Sequence, residues 1–143
     1  MILQIREGVF ETNSSSTHTI TICSEKTFDE WTAENSDIVY VGDSYDFSFD
    51  GRNFVTKEEV LEKVAENNAL QVMEGKEPYY DIENFFDPEA NSTTYTCQSQ
   101  AAECGVYTFE EWREDEYLET YVKDYTTENG DKIVAFGKYG TQY

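Results

Sequence analysis

Apolar and polar residues alternate along two short runs near the start of the chain, ILQIR (2–6) and THTITIC (17–23). Period two is the mark of half-buried strands. In the second run His18, Ile20 and Ile22 fall on one face, while Thr17, Thr19 and Thr21 fall on the other. TFDEW (27–31) follows, where Thr27 can cap a short helix with Asp29 and Glu30 at its positive end. DIVYVG (37–42) and YDFSF (45–49) then read as a strand pair joined at Gly42-Asp43-Ser44, and Asp50-Gly51 makes a turn into RNFV (52–55).

The period then changes. TKEEVLEKVAENN (56–68) places Val60, Leu61 and Val64 on one helical face, and Thr56 with Glu59 forms a capping box. Gly75 and Pro78 break the next segment, YYDIENFF (79–86) suits a short helix, and DPEANS (87–92) suits a loop. At the C-terminal end YLETYVKDYTT (117–127) and KIVAFGKYG (132–140) flank Glu128-Asn129-Gly130-Asp131, the pattern of a β-hairpin whose Asn-Gly turn tolerates positive φ.

TFDEW (27–31) returns as TFEEW (108–112), each after a Thr-rich stretch that ends near a cysteine. The echo fits a duplicated strand–helix–hairpin unit. It also fits a helix-start pattern used twice. Either way Phe28, Trp31, Phe109 and Trp112 are expected to anchor a core or an interface. The elements together predict one α+β domain over 1–143, an antiparallel sheet of short strands and hairpins with two or three helices packed on it.

Composition supports a folded chain. Its 143 residues are 15% aromatic, and large rings build a core from few positions. Charge narrows the function classes more sharply. Thirty acidic side chains against ten basic ones give a net charge of −20, which repels nucleic acid and anionic membrane and favours basic protein surfaces. No apolar run approaches the roughly 20 residues that span a bilayer. Three cysteines (Cys23, Cys97, Cys104) in no metal-ligand pattern, and the lack of a leader-like N-terminus, point to a reducing cytoplasm. No phosphate-cradling glycine loop and no calcium-loop spacing is present, since Asp43, Asp46 and Asp50 are misplaced for one, so no cofactor and no metal are expected.

Two places could carry function. The first is VFETNSSSTH (9–18), with the only histidine of the chain. A serine is activated by a histidine that an acid orients, and Ser14 or Ser16, His18 and Glu11 offer those groups. Turn chemistry offers a second account, in which Asn13 and the serines satisfy their own backbone. The second place is the acidic, aromatic YTFEEWREDEYLETY (107–121), whose mixture EGKEPYYDIENFFDPE (74–89) repeats. Glu110, Glu111, Glu114, Asp115, Glu116 and Glu119 would supply charge, and Tyr107, Tyr117 and Tyr121 rigid anchors. A duplex presents one phosphate charge per about 1.7 Å of axis. Dense carboxylates interleaved with aromatics can therefore occupy a groove built for nucleic acid.

The opening MILQIREGVFETNSSSTHTITIC (1–23), with TFDEW soon after, resembles a group of small proteins from phages, prophages and their Firmicute hosts that share Val-Phe-Glu-Thr-Asn-Ser-Ser-Ser-(Ser/Thr)-His between two strands. The resemblance covers about the first thirty residues and assigns no catalytic residue. It implies a phage setting, where small acidic proteins include anti-CRISPR and other anti-defence inhibitors. The expected function is therefore an acidic inhibitor that binds the basic nucleic-acid groove of a host protein such as a CRISPR effector, without binding nucleic acid directly. The alternatives are a small enzyme that uses Asn13 to His18 on a nucleotide or defence signal, and a phage accessory protein with no inhibitory role.

Overall fold

The computed structural model describes residues 16–42, 47–90, 98–114 and 118–141, with Ser16, Thr17 and Thr141 described through their main chain only. The expected strand at 2–6 lies outside them. In chain order the elements are β1 (Ser16–His18), β2 (Thr21–Ser24), α1 (Glu25–Thr32), β3 (Ile38–Val41), β4 (Phe54–Thr56), α2 (Lys57–Met73), a 3-10 turn (Pro88–Ala90), α3 (Gln100–Glu103), β5 (Val106–Tyr107), α4 (Phe109–Arg113), β6 (Glu119–Thr126) and β7 (Lys132–Thr141). The class is α+β, with two small antiparallel sheets where the pattern had suggested one. Contacts divide the chain into two units, 1–30 with 113–143, and 31–112.

In the first unit β7 is the central strand. β6 pairs with one of its sides, and β1 and β2 lie end to end along the other in one continuous register, from Ser16 opposite Thr141 to Ser24 opposite Ile133. The alternation read from THTITIC therefore holds across both pieces. The gap between them, at Thr19 and Ile20, has a local cause. The Thr19 side chain takes the place of its own carbonyl, accepting from Lys138 N–H at 3.0 Å, while Thr19 N–H still donates to Lys138 O at 2.9 Å. One face of the sheet packs on α1, where Phe28 meets the fully buried Phe136 at 5.7 Å between ring centres. Ser24, not Thr27, caps α1: its Oγ accepts from Thr27 N–H at 3.1 Å. The cap lies three residues earlier than the motif suggested because Ser24 ends β2 directly at the helix start.

The β6–β7 hairpin forms where expected, with different turn geometry. Only Gly130 takes positive φ, at 87°, while Gly130 N–H donates to Thr127 O and Thr127 N–H to Asp131 O. This is a three-residue loop with glycine at the left-handed position, and Asn129 needs no unusual φ.

In the second unit β3 is central, between β4 and β5. The expected partner of β3 was YDFSF; residues 43–46 lie outside the described ones, and Phe47 to Phe49 form no strand. Phe47 and Phe49 are instead buried in the core, so the residue types that suggested a strand serve packing here. The pairing goes one turn further, through Asp50 and Gly51 at φ 55° and 81°, with Arg52 N–H donating to Phe49 O. Both residues are left-handed, as a tight turn at Asp-Gly requires. α2 carries the capping box as read: Thr56 Oγ1 accepts from Glu59 N–H at 3.1 Å, and Glu59 Oε1 from Thr56 N–H at 3.2 Å. Val60 and Val64 are fully buried with Leu61 packed beside them, each valine contributing about 1.5–3 kcal/mol by leaving water.

YYDIENFF forms no helix. The segment is a series of turns in which Tyr80 and Phe85 enter the core. Helix is lost because Asn68 holds Tyr80 by its main chain, accepting from its N–H at 3.0 Å and donating to its carbonyl at 2.9 Å. The four aromatic anchors settle as expected in kind: Trp31 and Trp112 are buried 5.6 Å apart, and Phe109 lies 5.1 Å from Trp31.

Candidate functional site

The acidic cluster read from 107–121 is divided between the two units. Tyr107, Glu110 and Glu111 belong to the second unit, and Glu114, Glu119 and Tyr121 to the first. Asp115, Glu116 and Tyr117 lie outside the described residues. Glu111 is turned to structural use: its carboxylate accepts from Ser99 Oγ at 2.9 Å and from Ser99 N–H at 3.1 Å, while its own N–H meets the Thr108 cap. Tyr107 is half-buried in β5, and its carbonyl accepts from Trp31 Nε1 at 3.2 Å. Glu119 accepts from the Tyr139 hydroxyl at 2.5 Å, which raises that phenol above its ordinary pKa. Of the described set, Glu110 and Glu114 are the exposed carboxylates with no such contact.

Tyr121 is likewise committed to the fold. Its hydroxyl donates to Thr19 O at 2.6 Å, and its ring stacks on His18 with 5.8 Å between centres. Burial raises its phenol above the ordinary value, with Tyr125 adding to the effect. His18 is exposed at the rim of the sheet, beside Tyr139 and in line with Glu119 across three strands. Of its expected catalytic companions, Glu11 and Ser14 lie outside the described residues, and Ser16 is placed only by its main chain, in β1. His18, Tyr139 and Glu119 lie in one row across the strands with Tyr121 two residues along β6, and the carboxylate is already occupied by a phenol.

Charge concentrates elsewhere. Residues 31–112 hold 18 acidic and four basic side chains, a net −14, while the first unit holds 12 and six, a net −6. On α2, Glu58, Glu62 and Glu66 follow one another at four-residue spacing and all are exposed, one carboxylate per about 6 Å of axis. The same outward face then turns apolar. Leu70 is 60% exposed and Met73 82%. The chain after α2 folds back on it: Tyr79 N–H donates to Gln71 Oε1 at 2.7 Å, leaving the Tyr79 ring 73% exposed. Glu74, Glu77, Asp81 and Glu83, in the same stretch of chain, are exposed as well.

Of the sequence expectations, the EGKEPYYDIENFFDPE mixture comes nearest this surface; the apolar helix end was not foreseen. Its signal was present in ALQVM (69–73), which extends the helix by five residues before Gly75 and departs from the face set by Val60 and Val64. A shallow groove lined by Phe49, Asp50, Arg52, Glu59, Glu62, Lys63 and Glu66 lies beside the acidic row. Within it Arg52 pairs with Glu59, which holds that carboxyl below its usual range.

Among the described residues no group of three or more histidine, cysteine or carboxylate side chains is set to hold a metal ion, and no helix is long and apolar enough to cross a membrane. Comparison with protein families, with curated proteins and with solved structures returns no match.

Proposed function

We propose that this chain is an acidic inhibitor of phage type that occupies the positively charged nucleic-acid groove of a host defence or nucleic-acid-handling protein, an anti-CRISPR-like mimic. The observation that carries the reading is the second unit, whose net charge of −14 includes the exposed row Glu58, Glu62, Glu66 running into exposed Leu70, Met73 and Tyr79. The row has a carboxylate per about 6 Å, sparser than the phosphate per about 3.4 Å along one nucleic-acid strand. Carboxylates of the loop after α2 add to it. Charge of this kind speeds encounter and sets selectivity, while the residues that would anchor the complex are apolar and central. Leu70, Met73 and Tyr79 are exposed and apolar, with exposed acids before and after them in the chain.

The test uses purified RNA-guided effectors and other basic nucleic-acid-binding proteins against the full chain. Inhibition should be relieved by excess guide or target nucleic acid and should weaken steeply with salt. Replacing Glu58, Glu62 and Glu66 together by Lys should weaken it at least tenfold, and His18→Ala should leave it unchanged. Binding that neither nucleic acid nor salt affects overturns the reading. Loss of function on His18→Ala with the fold and binding intact would transfer it to an enzyme working from 13–18.

A further inference from the structure

We infer that β6 is a dimerisation edge, at which two copies of this chain pair antiparallel about a two-fold axis through Val122. β6 pairs with β7 on one side, and among the described residues no strand pairs with the other. The direction of its free groups follows from the ladder. Lys138 O accepts from Thr19 N–H and Lys138 N–H donates to Thr19 Oγ1, so Lys138 points its N–H and C=O toward β1 and β2. By alternation Tyr139, Gly137, Ala135 and Ile133 point theirs toward β6. Their partners Glu119, Tyr121, Lys123 and Tyr125 are thereby satisfied. Thr120, Val122, Asp124 and Thr126 turn their N–H and C=O outward. An eight-residue edge with Val122 42% exposed invites another strand.

A second copy is the occupant the side chains favour. Antiparallel pairing about a two-fold keeps each face continuous, so the residues that meet must lie on the same face. Centres near the middle of β6 overlap the most residues: Val122 and Asp124, whose main chain faces outward, and Lys123, whose main chain faces β7. Pairing centred on Lys123 sets Lys123 against its own copy, and like charges directly opposite are destabilising. Pairing centred on Asp124 repeats the fault with two carboxylates. Centring on Val122 sets Val122 against Val122, Tyr121 against Lys123, Thr120 against Asp124, and Glu119 against Tyr125. That register joins two valines, places an ammonium beside a phenol ring, gives each Asp124 a hydroxyl donor and sets no like charges opposite. It also closes about six main-chain hydrogen bonds from the three central outward residues of each copy. A net charge of −20 on each copy opposes the pairing, so salt should strengthen it. The salt response is thus opposite to that of the proposed groove binding, and the two readings fail independently.

The experiment is cysteine crosslinking of the folded chain under mild oxidation, read as linked peptides by mass spectrometry. Directly opposed Cα atoms in a hydrogen-bonded pair lie about 5.5 Å apart, within disulfide reach. Val122→Cys should give a covalent dimer alone. Thr120→Cys and Asp124→Cys should each fail alone and link when mixed. Sedimentation of the unmodified chain should show a dimer whose fraction rises with concentration and salt, and Val122→Asp, folded by circular dichroism, should be monomeric. No link through Val122→Cys, or self-linking at 120 or 124, overturns the inference, as does a monomer at millimolar concentration in high salt.

Discussion

The hydroxyl of Tyr121 donates a 2.6 Å hydrogen bond to the main-chain carbonyl of Thr19, reaching across the central strand of the first sheet above Gly137. The bond explains how the edge strand tolerates its break. Thr19 swings its carbonyl out of the ladder, its side chain substitutes as acceptor for Lys138, and a phenol from the opposite edge satisfies the displaced oxygen. The Lys138 N–H and the Thr19 carbonyl thus each keep a partner.

Gly137 is the residue this crossing requires. A Cβ there would stand 1.8 Å from the Thr19 oxygen and 2.7 Å from the Tyr121 hydroxyl. Gly137→Ala should cost about 3 kcal/mol, since backbone as well as side chain must move. Urea denaturation should show a lowered midpoint for Gly137→Ala and little change for Gly130→Asn at the hairpin loop, where asparagine tolerates the left-handed conformation.

Removal of the phenol oxygen is a milder lesion. Tyr121→Phe keeps the ring on His18 and strands the Thr19 carbonyl near solvent, an expected loss of about 1 kcal/mol. The pH dependence carries a second signature. Burial raises the Tyr121 phenol, and the bond to Glu119 raises that of Tyr139. A phenol raised on folding contributes its stability fully below the ordinary value of about 10 and loses it as the pH climbs through the raised one. Stability should therefore fall above about pH 10, and less steeply in Tyr121→Phe than in the parent chain.

Asn68 should prove the most sensitive position of α2. Asn68→Ala would remove both hydrogen bonds by which Asn68 holds the main chain of buried Tyr80, at a cost of about 3 kcal/mol. Asn68→Asp keeps the acceptor but faces a carboxylate toward a carbonyl, and should lie between. Hydrogen exchange at Tyr80 N–H should rise in both variants.

Neighbouring glutamates of α4 should respond in opposite ways. Glu111→Ala removes the acceptor of Ser99 N–H and Oγ and should destabilise by about 2 kcal/mol. Glu110→Ala, at an exposed position, should change stability by less than about 0.5 kcal/mol. Thermal denaturation of the two variants side by side is the measurement.

The Cys23 thiol should be inert. Burial pushes it up to about 11, which at pH 8 leaves far less thiolate than an ordinary cysteine carries. Alkylation of Cys23 in the folded chain should run at least tenfold slower than in urea, as read by peptide mass.

Local signals were the legible part of the sequence. The Thr56–Glu59 box, the Asp50-Gly51 turn and the alternation through THTITIC all rest on neighbours in the chain, and each appears in place. What failed depended on partners far away. The helix suggested at 79–86 gave way to an asparagine 12 residues earlier that claims the Tyr80 main chain, and the strand partner of β3 was decided by which phenylalanines the core absorbed. Glu111 illustrates the same limit at the candidate site. Its composition marks it as surface charge, yet a buried serine 12 residues away turns it inward. Periodicity reports which face a residue takes, but not which polar group will meet it there.

The paired indoles give the molecule an unequal optical report. Trp31 and Trp112 are the only tryptophans of the chain, both buried and 5.6 Å apart within residues 31–112. Emission excited near 295 nm therefore arises wholly from that half of the chain, while the Tyr121 crossing and the β6–β7 hairpin remain dark. Melting of the first unit would remove no tryptophan environment of its own and would register in far-ultraviolet dichroism, so any gap between the two curves would measure how independently the halves unfold.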